Sequence, residues 1–82
     1  MTAVTVRYFA AAADAAGREE ERIELDGSPS VGDLRDLLLA RYGAPMERVL
    51  RSGSFLVGGR VERNPAAALS ERVDILPPFA GG

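Results

Sequence analysis

Cysteine, histidine and lysine are all absent from this chain of 82 residues, and all ten basic residues are arginine. Without cysteine and histidine the protein has no thiol nucleophile, no imidazole base and none of the usual side chains that bind zinc or other transition metals. Carboxylates are present, but no D-x-D-x-D-G pattern gathers them for calcium. The sequence therefore makes an independent active site improbable, and it predicts no metal site and no bound cofactor.

The absence of lysine has two interpretations. It fits a general bias of the composition toward alanine, arginine, glycine and valine. It also suits a protein that carries an activated carboxyl terminus, because such a protein gains from having no ε-amines of its own. Arginine is too basic to act as an acceptor at neutral pH. The sequence alone leaves both interpretations open.

Charge and hydropathy argue against two kinds of partner, nucleic acids and membranes. The net charge is -2, with 46% hydrophobic and 27% charged residues, as in an ordinary globular domain. Positive charges form no basic stripe, so nucleic acid is not an expected partner. The chain contains no apolar run of 18 residues and no signal-peptide pattern. We therefore expect a single cytoplasmic domain that does not bind membranes.

The start of the chain alternates like a β-strand. Residues 3–9 place Val4, Val6 and Tyr8 on one face, which we expect to be buried. Phe9 falls on the opposite, polar face together with Arg7. An aromatic side chain on an otherwise polar face is a candidate for contact with a partner.

Helices are predicted where caps and apolar spacing agree. The predicted helical segments are 10–16, the amphipathic segment 31–42, and a single turn at 46–50. Gly17 suits the left-handed position that ends the first segment. Ser30 is the expected N-cap of the second, with Asp33 as its capping-box partner, and Gly43 ends it. The apolar spacing of this main helix is typical of a packed core.

Four further segments alternate or are rich in β-branched and aromatic residues, and we predict strands at 22–25, 54–57, 60–62 and 72–76. Gly58 and Gly59 fit a hairpin turn, since the motif of a phosphate loop is missing. A right-handed crossover would place the first and last strands side by side and parallel. The predicted fold class is therefore α+β, a β-grasp or ubiquitin-like arrangement with a mixed sheet of about four to five strands on one main helix.

The last six residues, Pro77-Pro78-Phe79-Ala80-Gly81-Gly82, differ from the rest of the chain. The two prolines end strand pairing, and the two glycines have no side chain to pack. We therefore predict a domain at 1–76 and a flexible, extended tail at 77–82, which could reach roughly 20 Å. The tail is narrow enough for a channel, and its only reactive group is the carboxylate of Gly82. The alternative is a frayed terminus without function.

The chain resembles the small, sulfur-carrier subunit of molybdopterin synthase, the MoaD family, within the ubiquitin-like MoaD/ThiS carriers. The motifs that carry the resemblance are Val6-Arg7-Tyr8-Phe9-Ala10, the helix capped by Ser30, and the ending Leu76-Pro77-Pro78-Phe79-Ala80-Gly81-Gly82. The resemblance covers essentially the whole chain.

The resemblance implies a function in sulfur transfer. An E1-like enzyme would use ATP to adenylate Gly82, and sulfur from a persulfide donor would displace AMP to leave a thiocarboxylate. That sulfur would pass to a precursor pterin inside the large catalytic subunit of the synthase. The chain itself would not be catalytic. Gly81 and Gly82 would be needed because a Cβ would widen a tail that must enter two active sites.

We also predict a surface for the large subunit. The residues concerned are Phe9, Val61 and Leu76, together with the tail residues Pro77, Pro78, Phe79 and Ala80. Phe9 and Leu76 should be neighbours that form an exposed apolar patch where the tail begins. The alternative is that they are isolated apolar residues of the kind found on most surfaces.

Three rival functions remain open at this point. The first is a sulfur carrier for thiamin, cysteine or tRNA thiolation, which would share the fold and the Gly-Gly ending. The second is a modifier that becomes joined to lysines of other proteins. The third is an interaction module whose tail has no role.

Overall fold

The structure is a computed structural model, and it describes residues 2–78. In chain order the elements are β1 (Thr2–Tyr8), α1 (Ala11–Ala16), β2 (Glu20–Leu25), α2 (Val31–Tyr42), α3 (Ala44–Ser52), β3 (Ser54–Val57), β4 (Arg60–Glu62) and β5 (Arg72–Leu76). The five strands form one sheet in the order β2-β1-β5-β3-β4. β1 and β5 are parallel, and the other three pairs are antiparallel. The predicted α+β class and the parallel pairing of the first and last strands are confirmed.

The core lies between one face of the sheet and the helices. Strand β1 contributes Val4, Val6 and Tyr8, which are buried, while β5 contributes Val73 and Ile75, which are fully buried. The predicted facing of β1 is therefore confirmed, and the alternation of β5 leaves Leu76 on the opposite face from Val73 and Ile75. The helices complete the core with Ala12, Val31, Leu34, Leu38, Met46 and Val49. The opposite face of the sheet carries none of these side chains and is the outer face of the molecule.

Helix boundaries follow the predicted caps. The Ser30 side chain accepts a hydrogen bond from the Asp33 N–H, and the Asp33 carboxylate accepts one from the Ser30 N–H, which completes a capping box at the start of α2. Gly17 ends α1 at a φ of 73°, in the left-handed conformation that glycine adopts without strain.

Two elements are longer than the sequence predicts. The single turn expected at 46–50 is the nine-residue helix α3, which begins beside Gly43 with Pro45 in its first turn and buries Met46 and Val49. Proline is favourable in that position because the first N–H groups of a helix have no partner within it. Strand β2 begins at Glu20, two residues before the predicted start. The earlier start brings Glu21 into the sheet on its buried face.

The longest of the helices in residues 2–78 is α2, with 12 residues. In this part of the chain no helix combines the length and the apolar character needed to cross a bilayer.

Candidate functional site

The chain leaves the sheet from its middle strand. β5 lies between β1 and β3, and the Phe9 N–H donates to the Ile75 carbonyl at 3.1 Å, so pairing with the β1 side continues to the end of β5. On the other side Leu76 pairs with Ser54 at the start of β3. Pro77 has no N–H with which to extend either ladder. The chain therefore departs from a point that is held on both sides.

Apolar side chains form a band on the outer face beside this point. We call Phe9, Leu56, Val61 and Leu76 the outer patch. Val61 is the one large apolar residue of residues 2–78 that is exposed, at 54%, and the other three are half-buried. Leu56 pairs with Val61 across β3 and β4, and it pairs with Asp74 across β3 and β5. Leu76 is therefore its diagonal neighbour, within reach of a long side chain.

Phe9 and Leu76 lie where the sequence places them. The register pairs Tyr8 with Ile75, so the next step along both strands sets Phe9 beside Leu76. Both are half-buried. Leu56 is missing from the predicted site, although the alternation of 54–57 contains the signal: Phe55 is buried, so its neighbour in the strand must point outward.

Charged groups border the outer patch. The Arg7 guanidinium carbon lies 5.2 Å from the centre of the Phe9 ring, in a cation–π arrangement, and Arg7 Nε lies 3.8 Å from Asp74 Oδ1. That Asp74 oxygen is buried, and no donor among residues 2–78 hydrogen-bonds to it. A buried acceptor without a donor costs about 1–3 kcal/mol. The charge of Arg7, at 3.8 Å, offsets part of that cost.

A shallow, polar depression of about 830 Å³ adjoins these charges on the same face. Its lining residues are Thr5, Arg7, Glu20, Gly58, Ser70, Glu71 and Arg72. An apolar centre with a charged and hydroxylated border is the composition found in protein–protein interfaces. The arrangement suits the binding of another protein surface.

The predicted tail is described only in part. Pro77 is half-buried and Pro78 is exposed. The predicted partner residues Phe79 and Ala80 and the predicted reactive residues Gly81 and Gly82 lie outside the described residues. Their roles stay predictions.

A buried carboxylate on the inner side of the sheet was not predicted. Tyr8 and Tyr42 each donate a hydrogen bond of 2.5 Å to Glu21 Oε1. Arg18 and Arg41 donate to Glu21 Oε2 at 3.1 and 3.2 Å. The Glu21 side chain is only 6% exposed. This cluster joins β1, β2 and α2 just inside the point where β5 ends.

The cluster changes the ionisation of its members. Burial raises the pKa of Glu21, but the hydrogen bonds from Tyr42 and Tyr8 lower it. The charges of Arg41 and Arg18 act in the same direction as those bonds, and the pKa of Glu21 lies below its ordinary value. Burial, followed by the hydrogen bond to Glu21, raises the pKa of both tyrosines. Glu21 is therefore an anion at neutral pH, and the two tyrosines are neutral donors.

Metal-binding groups are not gathered in the described part of the chain. Residues 2–78 contain no group of three or more histidine, cysteine, aspartate or glutamate side chains that could hold a metal ion. Within residues 2–78 the candidate site is the outer patch with its charged border.

A mixed sheet with parallel first and last strands, covered by helices on one face and open on the other, defines a β-grasp protein of the ubiquitin-like class. No protein-family model matches the chain, and no curated protein matches it. Solved structures do match over nearly its whole length.

One of these is a Pyrococcus furiosus protein provisionally named molybdopterin converting factor, subunit 1. It is 28% identical, with a TM-score of 0.83 over 96% of this chain and 100% of that one. Small archaeal modifier protein 1 from Haloferax volcanii is 26% identical, with a TM-score of 0.78 over 98% of this chain and 99% of that one. Its counterpart from Methanosarcina acetivorans is 25% identical, with a TM-score of 0.79 over 100% and 98%. The resemblance to the MoaD/ThiS ubiquitin-like family is confirmed.

Proposed function

We propose that this protein is a sulfur carrier for the synthesis of molybdopterin, with the carboxyl group of Gly82 as the site that carries sulfur. The observation that carries the proposal is the exit of the chain from the central strand β5 beside the outer patch. The similarity to the Pyrococcus furiosus protein provisionally named molybdopterin converting factor, subunit 1, supports it. The rigid domain would present the tail, and enzymes that bind the domain would act on its end.

The proposed chemistry begins with activation. A carboxylate is ionised at neutral pH and inert toward nucleophiles. An E1-like enzyme would join the Gly82 carboxylate to the α-phosphate of ATP, releasing pyrophosphate. A persulfide sulfur would then attack the carbonyl carbon, and AMP would leave with the electrons of the broken bond. A thiol would cleave the resulting acyl disulfide and leave a thiocarboxylate. These steps use ATP and thiols, which fits a cytoplasmic protein.

We propose that the outer patch docks on the large catalytic subunit of the synthase. Apolar anchors that become fully desolvated carry most of the affinity in such interfaces. Phe9 and Leu76 lie closest to the tail and would fix its entry into the partner, while Val61 and Leu56 would extend the contact. The large subunit would supply the acid and base groups, because this chain has neither histidine nor cysteine nor lysine.

A modifier function is the second candidate, and the similarity to small archaeal modifier protein 1 from two organisms favours it. In that case Gly82 would become joined to amines of other proteins. The two functions differ in their products. A modifier would leave branched Gly-Gly remnants on other proteins after digestion, and a pure carrier would leave none. Carriers for other thiolation pathways would share the thiocarboxylate and differ in the acceptor.

The molecule that accepts sulfur from the Gly82 thiocarboxylate distinguishes the possible pathways. The protein bearing a Gly82 thiocarboxylate is mixed with the large subunit and precursor pterin. We expect the protein to lose about 16 Da as its sulfur is exchanged for oxygen in acyl transfer, and the pterin to gain sulfur. A thiocarboxylate that stays intact with the pterin, but is consumed by another thiolation system, would contradict the molybdopterin assignment.

A further inference from the structure

Gly53 lies between α3 and β3, and its backbone does not require glycine. Its φ is -90° and its ψ is -163°, an extended conformation that any residue adopts. The reason for glycine at this position must therefore come from what surrounds it.

Two backbone oxygens fill the space where a side chain would begin. A Cβ built on Gly53 would lie 2.6 Å from the Val49 carbonyl oxygen and still closer to the Leu76 carbonyl oxygen. Real Cβ atoms essentially never approach another heavy atom within 3.0 Å. The end of β5 is thus packed directly against the α-carbon of Gly53.

The two oxygens differ in how easily they could move. The Val49 carbonyl belongs to α3 and accepts the Gly53 N–H at 2.7 Å, and the Val49 side chain is buried in the core. The Leu76 carbonyl is the last backbone group of β5 before Pro77. A side chain on residue 53 would therefore displace the end of β5 more easily than it would displace the helix.

We propose that Gly53 is a positioning residue that sets the place and direction in which the carboxyl-terminal segment leaves the sheet. The inference rests on the proposed function, because it concerns the delivery of Gly82 to an activating enzyme. On the far side of β5 the Phe9 N–H holds the Ile75 carbonyl. The absence of a Cβ lets β3 close against β5 from the other side. The root of the tail is thereby fixed relative to the outer patch.

The placement matters because the tail is short. Residues 77–82 span roughly 20 Å when extended, so an activating enzyme that binds the outer patch, as we propose for the large subunit, must reach Gly82 within that distance. A shift of about 1 Å in the position of a reacting group can cost about 100-fold in rate. A displaced root would leave the domain able to bind and its end poorly placed for reaction.

The test compares two glycine-to-alanine variants. Gly27 lies at the opposite edge of the sheet, where its carbonyl accepts a hydrogen bond from Thr2, and nothing lies within 4 Å of a Cβ built on it. Its φ of 66° makes Gly27→Ala a destabilising control. Both variants are assayed with a cognate E1-like enzyme by ATP–pyrophosphate exchange, after correction for the folded fraction measured by circular dichroism.

We expect Gly53→Ala to lower kcat about tenfold or more. Its KM should change less than its kcat, because Phe9, Leu56 and Val61 are untouched. Gly27→Ala should lower the unfolding midpoint and leave kcat nearly unchanged. Equal kcat values for the two variants, or a Gly53→Ala kcat equal to that of the parent protein, would overturn the proposal.

A second measurement decides the matter if Gly53→Ala does not fold. Amide hydrogen exchange on the parent protein should show the Phe9 N–H protected to nearly the same degree as the core of β1, because it is bonded to the Ile75 carbonyl at the root of the tail. Rapid exchange of the Phe9 N–H would refute a fixed root. If no activating enzyme accepts the parent protein, the proposed function fails, and the exchange result still tests whether the root is held.

Discussion

Glu21→Gln should destabilise the protein by about 2–3 kcal/mol. Tyr8 and Tyr42 donate to the carboxylate, and a hydrogen bond to a charged group contributes about 1 kcal/mol more than one to a neutral amide. The two bonds together therefore lose about 2 kcal/mol. Arg18 and Arg41 are about half exposed, so their ion pairs with Glu21 add at most about 1 kcal/mol.

Urea unfolding at pH 7 measures this loss, and Glu24→Gln is the matched control. Glu24 is exposed on the same strand, and its neutralisation should change the free energy of unfolding by less than about 0.5 kcal/mol. If Glu21→Gln also changes the free energy of unfolding by less than about 0.5 kcal/mol, the cluster around Glu21 does not stabilise the fold as argued here.

The difference between the parent protein and Glu21→Gln should depend on pH. Because the folded-state pKa of Glu21 is lowered, its contribution to stability is fully present above the ordinary glutamate pKa of 4.5 and is lost as the pH falls through the folded-state pKa. The two unfolding curves should therefore converge in acid. If the difference in unfolding free energy between the two proteins stays constant from pH 7 into acid, the charge of Glu21 contributes nothing to stability.

Three further predictions concern strand β1 and the residues directly after it. Val6→Arg should unfold the protein, because it places a charge in the core. Phe9→Arg should keep the fold, as checked by circular dichroism, and weaken binding to the large subunit about 30-fold, which is the usual cost of losing an anchor of about 2 kcal/mol. If Phe9→Arg unfolds the protein and Val6→Arg does not, the side chains of β1 face the opposite way from the assignment made here. Ala10→Gly should raise the free energy of unfolding by about 1 kcal/mol, since it relieves a strained φ of 50° and loses some chain entropy in return. A lower urea midpoint for this variant would contradict that reasoning.

Local patterns predict most of the fold. The alternation of Val4, Val6 and Tyr8 fixes the facing of β1, and the pair Ser30 and Asp33 fixes the start of α2. These signals are reliable because the interactions that they encode lie within a few residues along the chain.

The features that the sequence did not predict depend on distant parts of the chain. Glu21 lies in an acidic run that is typical of a solvated turn, and it is buried only because Tyr8 and Tyr42, 13 and 21 residues away, donate to it. The need for glycine at position 53 arises from the carbonyl of Leu76 on another strand. Helix α3 is longer than the single turn predicted at 46–50 because it begins before Met46 and takes Pro45 into its first turn, where proline is favourable.

The outer patch was predicted in part. Phe9 and Leu76 follow from strand facing combined with the expected parallel pairing, and the register places them side by side. Leu56 joins them only through the pairing of β3 with both of its neighbours, which requires the strand order. The outer patch combines residues from four parts of the sheet, so the sequence of any single strand does not predict it.

The intact mass of the protein tests the central claim most directly. The protein is incubated with a cognate E1-like enzyme, ATP and a persulfide sulfur source, and a variant that lacks residues 81–82 is treated in the same way. We predict a gain of about 16 Da for the parent protein, because sulfur replaces one oxygen at Gly82 by acyl transfer. The truncated variant should keep its original mass and unfold at nearly the same temperature. An unchanged mass of the parent protein with several active E1-like enzymes would contradict the assignment as a sulfur carrier.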